Sequence, residues 1–544
     1  MTLPGSLRRH AWWIFLAPAV ASAWTRGLWA PDEPRYAQVA REIFERGDFL
    51  VMHLCGDVYP DKPPLLFWIA GLLGSLSEWS VPVMRLVSVA SIAATAAFTA
   101  GLARRWWGPA EARWAPIVLL SFAMLSEIGG RLQIDPLLTA GCTGALYFVD
   151  RARGRSRSIE LWIAGLLVGL AALAKGPVAF VDVGLVLVAW LWIVDRRRPE
   201  VRFAHWAPAV ALALLPVLGW AVAAAVREPA LARELFYGQH LDRVIESETR
   251  HPGPPWKNLL RMPLLLLPWT PPVVAGLVRA WRQRPFGRRA VGRHAGLRDV
   301  GLLRAATWFA VLFLFFSAIP PKRDLYLLPA YPAAALVAAR WLTLCSSERS
   351  GAWAARVGAA LLLVLGVAVA SAPLLEIQGV PAASLGARTL PGALAFLTGS
   401  GLLLHRIRAE RPWPAVLAGA WLVGVTATVI AIYPAADFHK SPRALATLVA
   451  ELPQRPRQIP CLDVRPEGYR FYAGLPTVAA LEIETALERE GREFLALVRA
   501  PAWEALPARV RARTRPVLRR TVGSRDVLVL EAAPDDARVA VRSP

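Results

Sequence analysis

The sequence predicts a polytopic α-helical membrane protein with about thirteen transmembrane helices and a small C-terminal extracytoplasmic α/β domain. Two observations predict the membrane part. Hydrophobic residues make up 55% of the 544 residues and the mean hydropathy is +0.40, too apolar for a water-soluble chain of this size. Charged residues are only 19% and cluster between apolar runs, several of which reach the roughly 17–25 residues that cross about 30 Å of hydrocarbon. The short alternating segments of a membrane barrel are not seen. The third observation is a change of character near Tyr433, where the chain starts to read as soluble.

Taken in order, Arg8 and Arg9 precede an apolar run without a convincing small-residue cleavage site, so 11–29 reads as an uncleaved first span. Further spans are expected at 82–103, 114–128, 135–149, 160–174, 177–194, 204–226, 259–280, 300–318, 325–341, 353–375, 389–404 and 414–433. Pro63–Trp79 is apolar, yet at 1.5 Å per residue it reaches only about 25 Å. Counted as a span it would invert every later loop, so it reads as a helix lying at the membrane surface.

The net charge of +22 is placed by topology. With the N-terminus in the cytoplasm, alternate loops hold Arg8 and Arg9, then Arg104, Arg105 and Arg113, then Arg151, Arg153, Arg155 and Arg157. Arg196, Arg197, Arg198 and Arg202 follow, then a group from Arg282 to Arg298, Arg349 with Arg356, and Arg406 with Arg408. That is a positive-inside pattern, with an odd span count placing the C-terminus outside. Some of this charge suits anionic lipid. No basic aromatic module indicates nucleic acid. Cys55, Cys142, Cys345 and Cys461 fit neither a zinc motif nor a disulfide framework and read as isolated thiols.

The expected organisation is therefore a membrane domain over 1–433, with long outside loops near 30–81 and 227–258, and an extracytoplasmic α/β domain over 434–544. In that domain "QIPCLDV" and "DVLVLEAA" read as strands, and "SPRALATLVAELP" and "ALEREGREFLALV" as helices.

The chemistry gathers on the outside. In "LWAPDEPRYAQVAREIFERGD", Tyr36, Val39, Ala40, Ile43 and Phe44 form one apolar helical face. Pro34 suits the first helical position and Gly47 the stop. Asp32 and Glu33 therefore sit at a helix N-terminus. Capping accounts for such acids, and so does orienting or deprotonating an acceptor at the membrane lip. In "YPDKPPLLFW" three prolines stiffen the segment around Asp61 and Lys62, and a rigidly held Lys suits a lipid-linked phosphate better than snorkelling. Arg131 and Asp135 occupy an outside turn, and Lys175 stands at the outside end of a span beside a Gly-Pro break. "ELFYGQHLDRV" carries Tyr237, His240, Asp242 and Arg243, and "FFSAIPPKRDLYLLPAYP" carries Lys322, Arg323, Asp324 and Tyr326. Each has a plain reading as a cap, a snorkelling cation or a polar loop residue. Together they fall on one side of the membrane. Cations opposite Asp32 and Glu33 at headgroup depth suggest a site for a phosphate-bearing lipid and a polar acceptor.

The stretch "PDEPRYAQVAREIFERGDFLVMHLCGDVYPDKPPLLFWIAG" resembles the first outside loop of bacterial lipid A aminoarabinose transferases and their protein O-mannosyltransferase-like relatives, within the type-C glycosyltransferases. "FLFFSAIPPKRDLYLLPAYPAAAL" resembles a second signature of the group, and "YGQHLDRV" with "PPWKNLLRMPLLLLPW" a third, in the same order, over roughly residues 10–340. The resemblance implies transfer of a sugar, with inversion, from undecaprenyl (polyprenyl) monophosphate to a lipid A-like, glycan or protein acceptor on the outer face of the bacterial inner membrane. It implies Asp32, with Glu33 beside it, at the active site, Lys62 preceded by Tyr59 in the second first-loop motif, and Asp135, Lys175 and Tyr326 in the matching later motifs. Together with the outside-lip residues, the expected catalytic groups are Asp32, Glu33 and Asp135, and the expected groups for the donor phosphate and substrates are Tyr59, Lys62, Arg131, Lys175, His240, Arg243, Lys322 and Tyr326. The leaving group is a phosphate monoester, so Lys and Arg can stabilise its departing charge. The proposed mechanism requires no cofactor, and a divalent metal is left open. The chain departs from the aminoarabinose pattern at Asp61, where Glu is frequent, with Pro63 and Pro64 following the Lys. The general class is favoured over that particular sugar. The competing readings are protein O-mannosyl transfer, a polysaccharide polymerase or ligase, and a lipid-linked sugar flippase. The last would predict inverted repeats or broken helices meeting near the midplane, and no repeat stands out.

Overall fold

A computed structural model describes residues 11–153, 158–195, 203–229, 253–283, 299–375, 380–479 and 483–533. It is polytopic and mostly helical. Eight helices among the described residues are long and apolar enough to cross a membrane, or nine if the bent pair Lys257–Leu265 and Thr270–Arg282 is one span. Each of the thirteen expected segments is helical, but several are short or interrupted. Pro116 lies inside helix Pro109–Leu120, and the chain breaks before restarting at Ala123–Ile128. The bent pair turns by 119° around Pro268, and Pro263 sits inside its first half. Ile134–Ala152 carries Asp135, Asp150 and Arg151. The segment 63–79 holds the helix Leu65–Ser75, apolar and too short to cross.

At the membrane end carrying the expected inside loops, arginines are tied to carboxylates. Arg304 bridges Asp150 at 3.1 Å and Asp195 at 2.8 Å, and Arg105 joins Asp150 at 2.8 Å. Arg340 holds Glu111 and Asp299. Arg155, Arg157, the 196–202 cluster and most of the 282–298 group lie outside the described residues.

Helices Ser158–Lys175 and Phe203–Arg227 approach through glycine. A Cβ at Gly165 would stand 2.0 Å from the Ala209 carbonyl oxygen, and one at Gly169 would stand 2.7 Å from that of Leu212. Small residues permit such backbone contact in membranes. Gly165→Val is expected to force the helices apart at a cost of about 1–3 kcal/mol. It should lower the melting temperature of detergent-purified protein by several degrees, and an unchanged melting curve would refute the close approach.

Past the last span helix, Pro414–Lys440, the chain builds a mixed sheet. Two strands occur earlier, in the first loop: β1 (His53–Leu54) and β2 (Asp57–Val58) form a small hairpin. The sheet itself comprises β3 (Ile459–Leu462), β4 (Thr477–Ala479), β5 (Leu495–Arg499), β6 (Thr514–Val522) and β7 (Arg525–Ala532), in the order β4-β3-β5-β7-β6. β3 runs parallel to β4 and β5, whereas β7 pairs antiparallel with β5 and β6. Two expected strands and the helix Arg443–Glu451 appear as read. The expected helix "ALEREGREFLALV" is corrected. Its first half is helix Ile483–Glu490, but Leu495–Arg499 is the central strand β5, with Leu495, Ala496, Leu497 and Val498 all buried. A run apolar on every side has no period to separate a buried strand from a helix.

Candidate active site

The first loop is built around helix Glu33–Arg46. Its apolar face is the expected one: Tyr36, Val39, Ala40 and Ile43 are buried. Gly47 ends it in the left-handed region at φ 67°, where glycine carries no Cβ penalty. On the other flank Glu42 accepts bonds from Cys55 N at 2.7 Å and Gly56 N at 3.1 Å, fastening the β1–β2 hairpin to the helix.

The paired acids part company. Asp32 occupies the N-cap position without a side-chain cap bond. Its carboxylate instead accepts Arg323 Nη2 at 2.7 Å and, more loosely, Gln133 Nε2 at 3.4 Å. Burial pushes the Asp32 carboxyl up. Arg323 with its hydrogen bond, then Gln133 and Arg35, outweigh burial and hold the group below the ordinary carboxylate range. Glu33 is 2% exposed and clasped on all sides. It receives Arg26, Arg85 Nε at 2.9 Å, and the backbone N–H groups of Leu132 at 2.9 Å and Trp29 at 3.2 Å. Burial again pushes the acid up, and Arg26 and Arg85 bring it down to about 2. Arg85, fully buried, uses its other nitrogens on the carbonyls of Ala23, Arg26 and Gly27 at 2.7–3.0 Å. Glu33 is thus the pin that joins the first loop to helix Val81–Trp106 and to the turn at Leu132.

A second cluster adjoins the first. Lys175 pairs with Asp135 and lies 4.7 Å from the Tyr326 ring centre. Asp135 is two residues from Gln133, and Tyr326 three from Arg323, so the same two segments supply both clusters. Tyr36 is buried near both, and burial, with the carboxylates Asp32 and Asp135 and the phenol of Tyr59 nearby, pushes its own phenol up. Tyr59 is buried beside Arg35, with Asp61 behind it. Burial and Asp61 push the Tyr59 phenol up as well. Arg35 lies 3.9 Å from Asp61 and 3.8 Å from Glu467. Lys62 follows directly, half-buried in the proline-rigid segment before helix Leu65–Ser75.

Lys322 and Arg131 border a cavity of about 460 Å³. Its wall also carries Lys257, Arg261 and Arg323, against the carboxylates Glu127 and Asp324. Arg131 pairs with Glu127, and Arg261 with Asp324 at 2.6 Å. The Lys322 ammonium is turned inward, donating to the carbonyls of Phe316 at 3.3 Å, Ser317 at 2.9 Å and Ile319, so it caps the end of helix Val300–Ala318. His240 and Arg243 lie outside the described residues. Among the described residues no three His, Cys, Asp or Glu side chains gather as a metal site needs.

Several residues escaped the sequence reading. Arg26 and Arg85 sit in or beside apolar runs, and an ionisable group at membrane depth was the available signal. Asp182 carries the same signal. It is 1% exposed within helix Val178–Ala189, with Lys175 and Asp135 as its charged neighbours. Arg323 reads as one of the lip cations opposite Asp32 and Glu33, and what escapes the sequence is that it is the direct partner of Asp32.

Comparison with known proteins follows these motifs. A family profile described as dolichyl-phosphate-mannose-protein mannosyltransferase matches residues 61–220. An undecaprenyl phosphate-alpha-4-amino-4-deoxy-L-arabinose arabinosyl transferase of Edwardsiella ictaluri is 30% identical over 454 residues, 79% of this chain and 77% of the relative. Its namesake from Yersinia enterocolitica is 29% identical over 352 residues, 63% of this chain and 60% of that relative, so that match spans less than two thirds of its length. Among solved structures, ArnT from Cupriavidus metallidurans bound to undecaprenyl phosphate aligns with a TM-score of 0.78 at 22% identity, covering 96% of this chain and 98% of the other. The Archaeoglobus fulgidus oligosaccharyltransferase AglB, in complex with an inhibitory peptide and a dolichol-phosphate, aligns at 0.50 and 11% identity over 92% of this chain and 70% of the other. Those likenesses establish the fold. The Edwardsiella match, carried over more than three quarters of both chains, establishes kinship: the chain belongs to the undecaprenyl phosphate-aminoarabinose arabinosyltransferase family of type-C membrane glycosyltransferases.

Proposed function

We propose that this protein moves a sugar, with inversion, from undecaprenyl phosphate to a phosphorylated lipid A-like acceptor at the outer face of the inner membrane. The observation that carries the reading is the Asp32–Arg323 pair set against a cation-rich cavity. The names of the curated relatives supply the donor and sugar class.

The acceptor oxygen attacks the anomeric carbon from the face opposite the phosphate. The anomeric C–O bond breaks, and its electron pair leaves on undecaprenyl phosphate. Arg323, Arg131 and the flanking cations stabilise that charge as it develops. Asp32, kept ionised, orients the acceptor and takes a proton when the acceptor is a hydroxyl. A phosphate acceptor is already anionic and needs no base. Lys175 holds Asp135 beside Tyr326. Lys62, Tyr59, His240 and Arg243 remain donor-binding candidates from the sequence. Glu33 acts through Arg26 and Arg85 by positioning the loop, and Lys322 through the helix end it caps.

The reading includes thirteen crossings, an N-terminus in the cytoplasm and a periplasmic C-terminus. It divides the chain into a membrane domain over 1–433 and an extracytoplasmic domain over 434–544. Protein O-mannosyl transfer is the second reading, supported by the family profile over 61–220. The test reconstitutes the purified protein with undecaprenyl-phosphate aminoarabinose, and separately with a panel of other undecaprenyl-phosphate sugars, against lipid A and acceptor peptide. Sugar transfer to lipid A supports the proposal. Transfer only to peptide favours the second reading, and saturable donor binding without turnover would point to transport.

A further inference from the structure

A second cavity, of about 650 Å³, lies on the other side of the Asp32 loop. It is enclosed by that loop, the end of helix Pro414–Lys440 and the β6–β7 hairpin. Four cations line it: Arg131, Lys440, Arg465 and Arg525. The carboxylate in the lining is Glu467, already shared with Arg35 at 3.8 Å, and Arg131 is paired with Glu127 outside it. Arg465 and Arg525 repel one another. Burial pulls the Arg465 guanidinium down, and the like charges of Arg35 and Arg525 pull it further.

Three contacts fix where this cavity stands. Arg465 Nη1 donates to the Pro31 carbonyl at 3.1 Å, one residue from Asp32. Gly523 N donates to the His439 carbonyl at 2.7 Å, which ties the hairpin tip to the end of the span helix. The floor is set at the membrane lip. Trp29 donates to Asp437 at 2.7 Å, lies tilted against Tyr433 with ring centres 5.1 Å apart, and lies under the Lys440 ammonium at 5.1 Å. An aromatic belt with a cation marks headgroup depth. The volume suits a phosphorylated sugar headgroup. Arg131 lines this cavity and also the one that carries Arg323, the partner of Asp32, so the two cavities are neighbours that share one cation.

We propose that this cavity binds the anionic headgroup of the acceptor, a glycolipid bearing at least two phosphates, with Arg465 and Arg525 clamping the phosphate that does not react. The assignment rests on the reading of the protein as a transferase to a lipid acceptor. Charge-assisted pairs to phosphate carry the recognition. The position of the floor at the span ends selects a lipid headgroup over a soluble peptide.

The experiment uses the full chain in lipid nanodiscs. Bis-phosphorylated lipid A and its enzymatically dephosphorylated counterpart are titrated without donor, onto wild type, Arg525→Ala and the double variant Arg465→Ala/Arg525→Ala. Wild type is expected to bind the phosphorylated form at least about tenfold more tightly. The double variant should lose that preference, Arg525→Ala should lose part of it, and Arg465→Lys should retain most. In the transfer assay the double variant should raise the KM for acceptor about tenfold and leave the KM for donor unchanged. Equal binding of both lipids by wild type overturns the proposal, as does a preference that survives the double variant or a matching rise in donor KM. Phosphate-dependent binding by a wild-type protein that transfers no sugar would sustain the cavity assignment and refute the transferase reading.

Discussion

With a hydroxyl acceptor, Asp32→Asn is expected to lower kcat by about 10²–10³-fold while leaving donor binding and melting temperature nearly unchanged, and with a phosphate acceptor, which needs no base, the loss should be smaller. The substitution keeps the shape of the side chain and its contact with Gln133, but it removes the charge that faces Arg323. The helix loses nothing locally, because the Asp32 carboxylate makes no cap bond. The freed Arg323 is about a third exposed, so solvent limits its cost. Single-turnover transfer to a hydroxyl acceptor with saturating donor is the measurement. Retention of more than a third of wild-type rate would remove Asp32 from the reacting groups. The pH profile gives a second check. Because Arg323 holds Asp32 below its ordinary value of 3.8, the charged form persists through the neutral and mildly acid range. Any acid limb due to this group should therefore lie below about pH 4, with activity present above it and lost as pH falls through it.

Glu33→Ala is expected to damage the fold rather than the chemistry. It leaves Arg26 and Arg85 buried without their shared counter-charge, a change that costs about 3–5 kcal/mol in comparable buried pairs. Low yield and a markedly lower melting temperature should follow, measured by thermal unfolding of the detergent-purified protein. The triple replacement Glu33→Leu, Arg26→Met, Arg85→Met should recover part of the loss, since it removes all three charges. Recovery would be incomplete, because the carbonyls of Ala23, Arg26 and Gly27 lose the donors Arg85 supplies. Glu33 is ordinarily half-protonated near 4.5 and is brought down to about 2 in the fold. A depressed carboxylate contributes its full stability above the unfolded value and loses it as pH drops towards the folded one. Wild type should therefore lose melting temperature between about pH 4.5 and 2 more steeply than Glu33→Gln. Parallel slopes would argue that the pin carries little.

The contrast between the two neighbours shows what the sequence could and could not deliver. The helix Glu33–Arg46 was legible, since its start, stop and buried face are all local: Pro34, Gly47 and the spacing from Tyr36 to Phe44. The division of labour between Asp32 and Glu33 was not. It depends on Arg323, 291 residues away, and on Arg85, 52 residues away. Lys322 illustrates the same limit in reverse. In sequence it stands beside Arg323 as one more lip cation, yet its ammonium folds back onto three carbonyls of its own helix end. Crossing number was blurred because prolines 116, 263 and 268 interrupt apolar runs whose composition alone suggests continuous spans. Leu495–Arg499 was misread because burial on both faces erases the alternation that betrays a strand.

The first loop is bonded to residues made much later. Leu28 N reaches the Tyr472 hydroxyl at 2.6 Å across a separation of 444, and Arg41 reaches the Phe471 carbonyl at 2.8 Å across 430. During synthesis at about 5–20 residues per second, that loop waits on the order of tens of seconds for its partners. A ribosome-bound or prematurely terminated chain would therefore hold Asp32 on a scaffold still missing one wall. The wall around Asp32 is therefore complete only once the segment carrying Phe471 and Tyr472 has been made and docked, so the late part of the chain is the step that arms the early part.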